Sequence, residues 1–67
     1  MTGPKYPQVV VEMVGVDGNA FTILAAVRKA LRQNGVPEAE VSEFVAEATS
    51  GNYDHLLATV AEWVNVA

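Results

Sequence analysis

Seven residues, Gly15-Val16-Asp17-Gly18-Asn19-Ala20-Phe21, constrain this chain more than any other stretch. They join an unbroken run of strand formers to the start of an amphipathic helix. Gly15 and the Asp17-Gly18 pair supply turn chemistry that ends the strand. Asn19 or Asp17 can then accept a hydrogen bond from the N–H groups that a first helical turn leaves unpaired. The segment dictates strand, turn and helix in that order, and nothing in it dictates a reaction.

Upstream, residues 8–14 read as a strand. Val9, Val11 and Met13 form one wholly apolar face, while Gln8, Val10, Glu12 and Val14 form the other. Pro7 suits the first strand position or a point just outside it, where its missing N–H removes no ladder bond. Residues 1–7 therefore read as a flexible N-terminal tail, and residues 8–67 as a single globular domain.

Downstream, Ala20, Ile23, Leu24, Val27 and Leu31 make one helical stripe, predicting a first helix from Ala20 to about Asn34 with Gly35 as its left-handed stop. A second helix is expected to begin at Pro37, with Glu38 and Glu40 favourable in its first turn. Its core stripe is Val41, Phe44, Val45 and Ala48, and Ser50-Gly51 ends it. Asn52 caps a third helix, with Tyr53, Leu56, Leu57, Val60 and Val64 on its buried side and Trp63 flanking it. Trp63-Val64-Asn65-Val66 alternates and is β-branched, so it can leave the helix and pair with the first strand.

The fold expected is a small α/β (α+β) domain, βααα or, with that terminal strand, βαααβ. Its core is expected to hold Val9, Val11, Met13, Phe21, Ile23, Leu24, Val27, Leu31, Val41, Phe44, Val45, Leu57, Val60 and Val64.

Composition limits what such a domain can do. Its 67 residues are 51% hydrophobic and 18% charged, which fits a packed globule near the lower size limit for unaided folding. There is no cysteine to staple it or to hold a metal as thiolate. A domain so small either packs very efficiently or borrows core from a partner. A homodimer is the expected outcome, built by pairing Val9–Val14 with the same strand of a second copy. The competing arrangement has Val64–Val66 cover that edge within one chain. No apolar run approaches the roughly 20 residues of a membrane span, and the first residues lack signal-peptide organisation, so a cytoplasmic location is expected.

The net charge of −4 is unevenly spread. Residues 1–32 carry Lys5, Arg28, Lys29 and Arg32 against Glu12 and Asp17, a balance of +2. Residues 33–67 carry six carboxylates and neither lysine nor arginine. Phosphate backbones demand clustered cations, so nucleic-acid binding is disfavoured, above all through the second and third helices. Arg28, Lys29 and Arg32 form the one basic cluster and the candidate partner-binding site. It reads first as a solvated helix surface, and otherwise as a docking patch for an acidic partner.

The remaining motifs carry less. Asp17-Gly18-Asn19 opens like a calcium loop, but Thr22 and Arg28 occupy the positions that would need Gly and Glu. No phosphate-binding glycine motif surrounds Gly15 and Gly18. His55 is the single histidine, adjacent residues on a helix point about 100° apart, and the chain offers no spacing for a metal. Neither a catalytic residue nor a cofactor is expected. An enzyme using Tyr53, Asp54 and His55 ranks third among the functional readings.

Two stretches, GVDGNAFTIL at 15–24 and EATSGNYDHLL at 47–57, together with WVNV at 63–66, resemble small uncharacterised proteins of bacteria, actinobacterial phages and other mobile elements. The resemblance implies a phage or mobile-element origin, and with it a host protein as partner in the host cytoplasm. It implies no activity. A weaker likeness links Gly51-Asn52 through Trp63 to the third helix of ubiquitin-associated domains, which bind through small helical surfaces. The function expected is non-enzymatic binding of another protein, with weak nucleic-acid association through the basic cluster as the alternative.

Overall fold

A computed structural model describes residues 3–12 and 18–67. The element order is β1 (Tyr6–Val11), α1 (Ala20–Gln33), α2 (Glu38–Ala48), α3 (Tyr53–Trp63) and β2 (Val64–Val66), so the chain is a βαααβ domain. β2 follows α3 without a break, because Val64 already has extended φ and ψ of −135° and 165°. It pairs with β1 in parallel, Tyr6 opposite Val64, Val10 opposite Asn65 and Val11 opposite Val66.

The register is irregular between Tyr6 and Val10, and Pro7 falls there. A bulge is one of the few places in a sheet that tolerates a residue without an N–H. β1 therefore starts two residues before the expected strand, and Tyr6 and Pro7 belong to the sheet rather than to a tail. Beyond it, Lys5 N–H donates to the Glu62 carbonyl at 2.8 Å. The expected strand residues Met13 and Val14, and the turn residues Gly15 and Asp17, lie outside the described residues.

The caps follow from residue chemistry. Asn19 Oδ1 accepts from Phe21 N–H at 2.8 Å, and Asn52 Oδ1 accepts from His55 N–H at 2.9 Å. Gly35 stops α1 with φ of 79°, the one positive φ among the described residues. Pro37 sits one position earlier than expected, as the N-cap of α2.

The core gathers Val9 and Val11 from β1, Ile23, Leu24, Val27 and Leu31 from α1, Val41, Phe44 and Ala48 from α2, Leu56, Val60 and Trp63 from α3, and Val64 from β2. Val36, in the α1–α2 turn, is buried as well. Two expected core residues lie outside it. Phe21 is 81% exposed, because at about 100° per residue it points roughly 100° away from the centre of the α1 stripe. Leu57 is 38% exposed for the same reason on α3, where Leu56 takes the inward position. Val45 is half-buried against the core edge.

Candidate functional site

Trp63 organises one end of the molecule. Its indole is buried edge-on to Phe44, with centroids 5.5 Å apart and planes at 68°, and tilted on Tyr6 at 5.9 Å. Its Nε1–H donates to Glu47 Oε1 at 3.1 Å, and Lys5 Nζ lies 4.4 Å from the ring centroid. Lys5 also pairs with Glu40 at 3.2 Å, and the Tyr6 hydroxyl donates to the same Oε1. That hydrogen bond is the main reason the Glu40 carboxyl is held below its ordinary range, with Lys5 adding to it, and why the Tyr6 phenol is raised. Lys5 and Tyr6, expected in a tail, thus tie β1 to α2. Only long-range partners reveal this role, and no local spacing points to it.

The basic cluster is divided. Arg32 Nε and Nη2 grip both oxygens of Glu38 at 2.5 to 3.2 Å, which lowers the Glu38 pKa and raises that of Arg32. Arg28 shares an open groove of about 430 Å³ with Arg32, Glu38, Val41, Ser42, Val45 and Ala46. Lys29 does not line that groove. Of the three residues, the fold brings Arg28 and Arg32 together and neutralises Arg32 with an acid.

Tyr53, Asp54 and His55 are also divided by geometry. Tyr53 donates its hydroxyl proton to the Gly18 carbonyl at 2.7 Å. His55 turns the other way, its Nε2 lying 2.9 Å from the Glu47 carbonyl, 3.1 Å from Ser50 Oγ and 3.4 Å from Thr59 Oγ1. A carbonyl only accepts, so Nε2 carries the proton and donates. Ser50 Oγ donates to the same carbonyl at 2.7 Å. His55 and Ser50 together satisfy the C-terminal end of α2, where carbonyls have no partner within the helix. Gly51 makes room for this: a Cβ there would lie 2.8 Å from His55 Cγ and 2.9 Å from its Cβ.

An apolar surface lies where α1 begins. Ala20, Phe21 and Leu24 from α1 face Ala48 at the end of α2, Thr49, Gly51 and Asn52 of the α2–α3 turn, and Tyr53 and Leu56 of α3. They line a shallow groove of about 240 Å³. Phe21 and Tyr53, 45% exposed, form its aromatic rim. Both residues were expected to face the core. The offset of Phe21 from the α1 stripe is the signal in the sequence that marks it as a surface residue.

Among the described residues no group of three or more His, Cys, Asp or Glu side chains could hold a metal ion, and no helix is long and apolar enough to cross a membrane. Compared with known proteins, the chain matches no family model, no curated protein and no solved structure.

Proposed function

We propose that this chain is a non-enzymatic protein-binding domain whose contact surface is the groove rimmed by Phe21 and Tyr53. The observation that carries the reading is Phe21 itself. A phenylalanine 81% exposed beside a second exposed aromatic ring and an open apolar groove leaves a large hydrophobic surface in water without a stabilising role. The aromatic rim is of the kind that anchors protein contacts.

Charge narrows the partner. The half of the chain that supplies α2 and α3 bears six carboxylates and no lysine or arginine, and Asp54 and Glu47 adjoin groove residues in the sequence. The complementary occupant is a segment of another protein presenting a large apolar side chain flanked by Lys or Arg. If the chain is phage-encoded, as its resemblance implies, that partner is a host protein met in the host cytoplasm.

Selection of displayed random peptides against the immobilised chain tests this, with a Phe21→Ser/Tyr53→Ser variant as counter-target. Enrichment of apolar residues with basic neighbours, lost on the variant, is the expected result. No enrichment, or peptides that bind both proteins equally, refutes the reading. The second reading, weak nucleic-acid association through Arg28, Lys29 and Arg32, is supported by the Arg28–Arg32 groove but weakened by Glu38. It requires a low-salt gel shift that Arg28→Ala/Arg32→Ala abolishes.

A further inference from the structure

Among the described residues the sheet has two strands, and β2 occupies one edge of β1. Ala67 N–H donates to the Val11 carbonyl at 2.9 Å, so the peptide groups of Val11 face β2. Peptide groups of adjacent residues in an extended strand face opposite edges. Those of Val10 therefore face away from β2, toward an edge that no other strand among the described residues covers. Val10 is 53% exposed, and Gln8 and Glu12 are exposed with it.

We infer that this open edge of β1 pairs antiparallel with the β1 edge of a second copy, about a two-fold axis at Val10. The register follows from hydrogen bonding and charge together. A two-fold at Val10 makes it a hydrogen-bonded pair with its own counterpart, each N–H meeting the other's carbonyl. Counting two residues outward sets Gln8 opposite Glu12 of the second copy on the solvent face, twice over. An amide then meets a carboxylate, and the two Glu12 carboxylates lie at opposite ends of the contact. A two-fold at Val9 would use the same edge groups, with Val10 opposite Gln8, but would set Glu12 opposite Tyr6, beyond the irregularity of β1, and leave its carboxylate without the amide. β2, at three residues, offers a shorter outer edge.

The paired sheet runs β2-β1-β1-β2, and four strands escape the marginality of two. One strand edge buries less than the roughly 800 Å² per partner of a standard interface, so the dimer is of the weak, concentration-dependent kind. The Phe21–Tyr53 groove is not part of it, and the two proposals stand separately.

Light scattering and sedimentation from about 10 μM to 2 mM test the inference on the intact chain. The mass is expected to rise from 7.1 kDa toward twice that value across this range. Val10→Lys places two ammonium groups face to face and is expected to keep the protein monomeric, its amide spectrum still dispersed. Gln8→Lys faces Glu12 of the second copy and is expected to tighten the dimer several-fold, in a salt-dependent way. A mass that stays at 7.1 kDa at all concentrations overturns the inference. A dimer that survives Val10→Lys, or one lost with Phe21→Ser instead, overturns the edge assignment. If Val10→Lys unfolds, Gln8→Glu provides the alternative, expected to weaken the dimer; an unchanged dimer counts against the register.

Discussion

At the scale of single residues, a rotation of about 100° decides which side chains carry stability and which face solvent. Leu56 and Leu57 are neighbours of identical chemistry. Leu56→Ala is expected to cost about 2–5 kcal/mol, a large share of the roughly 3–10 kcal/mol that a chain of this length commands. Leu57→Ala is expected to cost about 1 kcal/mol or less. Urea unfolding of both variants checks the ordering, and equal losses would contradict the assigned inward position of Leu56. Gly51 offers a second residue-level prediction. Gly51→Ala forces the His55 ring off the Glu47 carbonyl and is expected to cost about 1–3 kcal/mol. In a Gly51→Ala/His55→Ala variant the ring contacts are gone and only the close approach to the residue 55 Cβ remains, so the two effects are expected to sum to less than their separate values. Strict additivity would show that the two residues do not interact.

At the scale of elements, β1 depends on α2 for more than apolar packing. Glu40, held below the ordinary carboxylate range first by the Tyr6 hydroxyl and then by Lys5, stabilises the fold at pH values above that range. The contribution is lost as pH falls through the lowered folded value. Tyr6 behaves in the opposite sense. Its folded pKa is raised above about 10, so its contribution is complete below that value and disappears as alkaline pH passes the raised one. Tyr6→Phe is expected to flatten both limbs relative to the unsubstituted chain in urea midpoints measured from pH 3 to 11. Identical profiles would contradict the coupling.

The same elements show what a sequence can disclose. The three helices, the Asn19 and Asn52 caps and the Gly35 stop were legible because each depends on residues within a few positions of one another. The start of β1 was not, because Lys5, Tyr6 and Pro7 are ordered by Glu62, Glu40 and Trp63, all far along the chain. The groove was hidden for a related reason. Phe21 reads as core by residue type, and only its angular offset marks it as surface.

At the scale of the whole molecule, the two contact surfaces proposed are an apolar groove on the helices and an open edge on the sheet. They differ in chemistry, and their predicted responses to substitution differ accordingly. The central claim is that Phe21 serves binding and contributes little to the fold. Calorimetric titration of a groove-selected peptide into the unsubstituted chain, Phe21→Ser and Arg28→Ala/Arg32→Ala tests it directly. Phe21→Ser is expected to weaken binding tenfold or more with melting behaviour nearly unchanged, while the arginine variant binds as before. Equal affinity for Phe21→Ser and the unsubstituted chain, or loss confined to the arginine variant, would contradict the account.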